Sequence, residues 1–208
     1  MAFDSWLSCP KVVLPLVRKT FNGIIEFDPA SNRVAQHYVQ AKHYAIAPFD
    51  FDQARVGVPD GVCHIDGLST QWRGRTVFCN PPYSAGAIDK FSEKGILEWN
   101  ESARREWQDP IEQMVFLVNS ATDARWYHNL LNNCSVALLW RGRIKFWKIF
   151  DGEAHEKWEG QLSKERGAGK IGNFPRYLNT LFFWGREQKH VQGFIDVFND
   201  KGTIIKVV

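Results

Sequence analysis

Short apolar runs that stop abruptly at turn residues alternate in this chain with segments of helical spacing, and that alternation restricts the fold most. Ile24 to Phe27 ends at Asp28-Pro29, and Arg75 to Cys79 runs into Asn80. Met114 to Val118, Val136 to Trp140 and Leu178 to Trp184 are further apolar runs. Runs this short, rich in β-branched and aromatic residues, suit strands packed on both faces. Helical segments fall between them. Lys11 to Thr20 forms a first helix, a second is capped by Ser31 and runs to about Val39, and Ala87 to Trp99 aligns Ile88, Phe91, Gly95 and Trp99 on one face. Thr122 or Asp123 caps a helix carrying Trp126, Tyr127, Leu130 and Leu131, and Val191, Ile195 and Phe198 line a terminal one. Strands alternating with helices predict an open, mostly parallel α/β sheet.

Two stretches are weaker. Lys42 to Asp66 is broken by Pro48 and Pro59, with a turn at Asp60-Gly61, and reads as loop with one or two short strands. Arg141-Gly142-Arg143 leads into alternating residues from Ile144 to Trp147, which suits a strand or hairpin arm. The polar stretch from Asp151 to about Phe174, with Gly167, Gly169 and Gly172, has no periodicity. A loop of that length in a compact domain is usually functional or mobile.

A chain of 208 residues is long enough for one domain with a sizeable core, and 44% hydrophobic with 24% charged residues is a globular balance. No apolar run approaches the ~20 residues that span a bilayer, and Met1 to Pro10 lacks a signal-peptide pattern, so the expected compartment is the cytosol. Cys9, Cys63, Cys79 and Cys134 lie far apart with no CxxC pair, which predicts reduced thiols and no metal site. The net charge of +3 says little about partners. Its distribution says more: Arg141, Arg143, Lys145 and Lys148, then Lys164, Arg166, Lys170 and Arg176, are interleaved with Phe146, Trp147, Trp158 and Phe174. Such a mixture can contact phosphates and stack on bases, or simply form a solvated strand edge and polar loop.

The densest chemistry is Asn80-Pro81-Pro82-Tyr83 at the carboxyl end of a strand, where open α/β sheets bind ligands. An exocyclic amine on adenine or cytosine, or a carboxamide nitrogen, is a poor nucleophile because its lone pair is delocalised into the adjoining π system. The Asn80 side-chain oxygen and the Pro81 carbonyl can accept its two hydrogens, drawing the nitrogen toward tetrahedral geometry with its lone pair aimed at a methyl donor. Pro81 and Pro82 fix the turn and present no competing N–H. Tyr83 offers a flat face for a planar substrate.

The string Phe78-Cys79-Asn80-Pro81-Pro82-Tyr83-Ser84 resembles motif IV of the amino-methyltransferases, in the form found in the phage-type DNA N6-adenine methyltransferase family. Trp6 with Cys9-Pro10, Asp28-Pro29-Ala30, Asp66-Gly67-Leu68 with Trp72, Trp126-Tyr127-His128 and Arg141 to Phe146 also resemble that family's pattern, over about residues 6 to 184. The resemblance implies a Rossmann-like methyltransferase sheet, mostly parallel with one antiparallel strand near the C-terminus. The chain is expected to form one such domain over residues 1–208, with the long polar insertion at about 145–174, next to the basic residues, contacting the DNA. S-adenosyl-L-methionine would be the cofactor, bordered by Trp6, Pro10, Asp28, Ala30, Asp66 and Leu68, with Asp66 near its adenine amine and Asp28 near its methionine part. Asn80, Pro81, Pro82 and Tyr83 would act on an adenine flipped out of double-stranded DNA, with Ser84, Arg141, Arg143 and Lys145 contacting the DNA. The turn Phe27 to Ser31 departs from many methyltransferases in having no glycine, Cys9 stands where the family has Thr, and only Asp50 and Asp52 offer themselves for the ribose hydroxyls. Two other functions stay open: methylation of a glutamine side chain or of RNA, and a catalytically silent DNA-binding relative.

Overall fold

The computed structural model describes residues 6–7, 10–46, 60–83, 86–106, 109–150, 153–155 and 177–207. Ser84, Asp50, Asp52, Cys9 and most of the 145–174 insertion lie outside these residues. Among the described residues the chain order is β1 (Trp6–Leu7), α1 (Val13–Thr20), β2 (Phe27–Ser31), α2 (Arg33–Val39), β3 (His43–Ile46), β4 (Val62–Ile65), β5 (Thr76–Cys79), α3 (Ala87–Ser102), β6 (Gln113–Asn119), α4 (Arg125–Asn133), β7 (Val136–Trp140), β8 (Trp147–Phe150), β9 (Glu153–His155), β10 (Asn179–Gly185), α5 (Gln188–Phe198) and β11 (Gly202–Lys206).

Eight strands form the central sheet in the order β11-β7-β10-β6-β5-β2-β3-β4. β4, β3, β2, β5 and β6 are parallel neighbours. β10 runs antiparallel between β6 and β7, so β7 points the same way as β6. β11 adds a second antiparallel strand at the edge beside β7, which the sequence reading lacked. Its exposed pattern, with Thr203, Ile205 and Lys206 open to solvent, explains why: an edge strand exposed along its length carries no buried run. β1, β8 and β9 form a small antiparallel sheet.

Central strands are apolar because helices cover both sheet faces. Phe78, Val115, Leu117, Leu138, Leu181 and Phe183 face one cluster, which α1 and α5 close with Val13, Leu14, Val17, Phe194 and Phe198. Val77, Cys79, Met114, Phe116, Phe182 and Trp184 face the other, closed by Ile88 and Phe91 of α3 and Tyr127 and Leu130 of α4. Trp72, Trp184 and Tyr127 are buried core anchors, as aromatics of their size usually are.

Several expected boundaries shift, each for a local reason. The first strand is Phe27–Ser31, not Ile24 to Phe27, because Asp28, Pro29 and Ser31 are buried and β3 pairs alongside from Phe27 onward. Ser31 does not cap α2. Asn32 does, its Oδ1 accepting the Ala35 N–H at 2.8 Å, while Ser31 Oγ accepts from Gln36 Nε2 at 2.7 Å. Neither Thr122 nor Asp123 caps α4, which begins after Ala124 without a side-chain cap. The Thr122 carbonyl instead meets His128 Nε2 at 2.8 Å. Residues 143–146 are coil, and the strand expected there starts at Trp147, where pairing with β1 begins. In α5 the fully buried residues are Phe194 and Phe198, with Val191 and Ile195 only partly covered.

Candidate active site

Sheet order creates the site. β2 leads to β3 and β4 on one side, and the chain then returns to place β5 on the other side of β2. At such a switch point the loops leaving adjacent strands diverge and leave a crevice at their carboxyl ends. Asp28 to Ser31 and Asn80 border it. Leu7, Asp28, Ala30, Asn32, Ala35, Val39, Phe78 and Asn80 line a narrow cavity there.

Asp28 is 3% exposed. Its Oδ1 accepts the Ala30 N–H at 3.2 Å and its Oδ2 accepts from Gln36 Nε2 at 3.0 Å. Gln36 also takes the Ala41 N–H on its Oε1 at 3.0 Å, so this amide uses both donors and its oxygen inside the core. Burial pushes the Asp28 carboxyl up to about 7 against the pull of these hydrogen bonds. Gln36 was not foreseen as part of the site. The available signal was a polar residue on the buried stripe of Val34, Ala35 and Val39.

Asp66 follows β4 in the left-handed region, with φ of 54°, and its Oδ1 accepts the Leu68 N–H at 3.0 Å. The carboxylate holds this turn. Gly67 then packs against the Pro29 carbonyl so closely that a Cβ would overlap it, and its own carbonyl accepts Trp72 Nε1–H at 2.8 Å. Asp66-Gly67-Leu68 is thus pinned to Asp28-Pro29-Ala30 of β2. Of the residues expected at a cofactor, Asp28, Ala30, Asp66 and Leu68 are brought together. Trp6 lies in β1, whose next residue, Leu7, lines the crevice, and Pro10 sits in the turn before α1 without lining it.

β5 is buried from Thr76 to Cys79, and Pro81-Pro82 ends its ladder by removing two N–H donors. Burial holds the Cys79 thiol well above its ordinary range, so it is no nucleophile. The Tyr83 hydroxyl lies 2.7 Å from Asn80 Oδ1 and 3.0 Å from the Leu117 carbonyl, and the Tyr83 ring meets Phe146 edge-on at 6.3 Å.

A second, open cleft of about 520 Å³ lies beyond this turn, lined by Tyr83, Ile88, Asp89, Asn119, Ser120 and Trp126 among others, with exposed Tyr177 at its edge. Its floor is set by buried polar groups. Thr180 Oγ1 is 2.8 Å from both Ser120 Oγ and the Tyr127 hydroxyl. Asn179 Nδ2 donates to the Val118 carbonyl and to Asn119 Oδ1, both at 3.4 Å, and its Oδ1 accepts the Ile144 N–H at 3.4 Å. Sequence reasoning missed this cleft because it is built from the ends of β5, β6 and β10, which are adjacent only after folding.

Arg141, Arg143 and Lys145 follow β7, whose carboxyl end shares the sheet edge with Asn80. All three are exposed, while Ile144 between them is buried and Phe146 touches Tyr83. Ile144 anchors the basic segment, and Phe146 at its end meets Tyr83, while Arg141 at its start lies beside Lys201 next to β11.

No described helix is long and apolar enough to cross a membrane. No curated protein matches the chain. The family model for DNA N-6-adenine-methyltransferase (Dam) matches residues 62–168, a stretch that holds Asp66, Leu68, Asn80 to Tyr83 and the Arg141 to Lys145 segment. That match covers just over half of the chain, and with the α/β sheet and the Asn80 turn at its switch point the chain belongs to the Dam family of DNA adenine methyltransferases.

Proposed function

We propose that the protein transfers the methyl group of S-adenosyl-L-methionine to the N6 amine of adenine at specific sites in double-stranded DNA, with the target base turned out of the helix. One observation carries this reading: the Asn80 to Tyr83 turn divides two cavities, with Asn80 lining the crevice beside Asp28 and Tyr83 lining the larger cleft. A transfer between two ligands needs two sites meeting at one point. This turn is where they meet.

The crevice suits the cofactor by the chemistry of its groups. Asp28 is a buried acceptor matched to an ammonium group, and a positive charge there would hold it ionised. Asp66 and Leu68, pinned on Pro29 by Gly67, would border the cofactor's adenine, with Ala30 between, and Trp6 and Pro10 would complete the border. When bound, the cofactor supplies a methyl group activated by an adjoining sulfonium. Alignment then accounts for most of the rate.

On the acceptor side, Asn80 Oδ1 and the Pro81 carbonyl take the two N6 hydrogens, and Pro82 keeps the turn rigid. The Tyr83 face and the cleft receive the flipped base, which cannot be reached inside the stack. Arg141, Arg143 and Lys145, with Ser84, hold the phosphates, and the segment at about 145–174 reads sequence. Residues 1–208 act as one domain in the cytoplasm of a bacterial or phage-infected cell.

Incubation with cofactor tritiated on its methyl group and DNA of mixed sequence tests the proposal. Label is expected on adenine N6. Label confined to cytosine, to RNA or to protein, or no label with several DNAs while the cofactor binds, would overturn it.

A further inference from the structure

Tyr83 lines the cleft, and its hydroxyl meets two acceptors. That oxygen is 2.7 Å from Asn80 Oδ1 and 3.0 Å from the Leu117 carbonyl of β6. Both neighbours are acceptors, and a phenol carries one proton, so it serves one of them at a time or shares the proton between them. The ring is held independently by Phe146, at 6.3 Å and 89°, and by the hydrophobic cluster of β5 and β6. A rotation about the C–O bond therefore moves the proton from one acceptor to the other while the ring stays in place.

This geometry has a chemical use. Asn80 carries an oxygen and an NH2 group of nearly equal size, and only the oxygen can receive a hydrogen from an amine. Left to itself, the carboxamide could turn over and present the wrong group. A donor whose ring is held in place favours the orientation in which the oxygen faces it. When an amine approaches the same oxygen, the phenol proton can pass to the Leu117 carbonyl, so no group loses its partner.

We propose that Tyr83 is a positioning residue as well as a wall of the cleft: its hydroxyl, placed between Asn80 Oδ1 and the Leu117 carbonyl, sets and then releases the Asn80 carboxamide. The inference rests on the reading of Asn80 as the acceptor of the substrate amine. It separates two roles that the ring and the hydroxyl play in one residue.

Tyr83→Phe removes the hydroxyl and keeps the ring, and Tyr83→Ala removes both. With DNA that the wild-type protein methylates, Tyr83→Phe is expected to lower kcat about 10-fold with KM for DNA within about twofold of wild type, because the hydroxyl governs how Asn80 meets the amine and not how DNA is held. Tyr83→Ala should raise KM as well. If the ring is the whole role, Tyr83→Phe equals wild type in both constants, and the inference falls. The side-chain amide of Asn80, followed by NMR in the ligand-free protein, gives a second readout. Its two hydrogens should show one orientation in the wild type and shift or broaden in Tyr83→Phe, and an unchanged signal would also overturn the inference. Failure of the wild-type protein to methylate adenine would instead remove the functional reading, and the amide signal would still decide whether Tyr83 orients Asn80.

Discussion

The Pro29 carbonyl lies directly against Gly67, in the space a side chain would need, so the irregular second half of β2 and the turn after β4, far apart in sequence, are locked together. Gly67→Ala forces its methyl group into that backbone oxygen. Neither segment is free to retreat, since Trp72 holds the Gly67 carbonyl and Gln36 holds Asp28. The expected result is a loss of about 1–3 kcal/mol in urea unfolding, with weakened binding of S-adenosyl-L-methionine by calorimetry. A variant equal to wild type in both would show that the contact relaxes without consequence.

Asp28 makes stability depend on pH. Its carboxyl sits at about 7 in the folded chain, above its ordinary value of 3.8, so the folded state holds a proton that the unfolded state has lost. The contribution of Asp28 to stability should therefore be most favourable below about pH 4, fall as pH rises toward 7, and level off above. Between about pH 5 and about pH 8 the loss is on the order of 3 kcal/mol. Asp28→Asn should remove this component, which urea melts of the two proteins at both values would reveal. For the same reason a cation bound at Asp28 should bind more tightly as pH rises through about 7 and release a proton, and calorimetry in buffers of different ionisation heat checks that.

Asn80→Ala deletes the side-chain acceptor at the turn and leaves Pro81 and Pro82 in place. Methyl transfer to DNA should fall by roughly 100-fold or more. The melting temperature should change little, because Asn80 is only half-buried and lies beyond the end of β5. Single-turnover rates with labelled cofactor, beside a thermal melt, separate lost chemistry from lost fold.

Arg141, Arg143 and Lys145 are exposed on a segment anchored by Ile144. Replacing them singly with glutamine should weaken DNA binding across sequences. The dependence of log affinity on log salt should become shallower by roughly 0.9 for each phosphate contact removed. Fluorescence anisotropy over a range of salt measures this slope. An unchanged slope in all three variants would assign these charges to the solvated surface alone.

Much of the fold was legible because its elements are local. Thr76 to Cys79, Met114 to Val118 and Val136 to Trp140 read as buried strands since β-branched and aromatic side chains packed on both faces leave no polar alternation. Ile88, Phe91 and Gly95 read as a helix face because 3.6-residue periodicity survives in the sequence. β11 did not, because an edge strand open to solvent has no such pattern. The caps of α2 and α4 also escaped, since a candidate oxygen at Ser31, Thr122 or Asp123 says nothing about which neighbour completes the geometry.

The sequence by itself determined the chemistry at one point. Asn80, two prolines and Tyr83 behind a buried strand are acceptor groups and a flat ring on a rigid turn, and bonding capacity belongs to residue types. What only the tertiary structure decided is what faces that turn. The return of β5 to the far side of β2 sets Asp28 opposite Asn80, Gly67 brings Asp66 onto Pro29, and the ends of β6 and β10 open a second cleft beyond Tyr83. Each is a contact between residues distant in sequence, fixed by strand order and backbone packing, which no local pattern encodes.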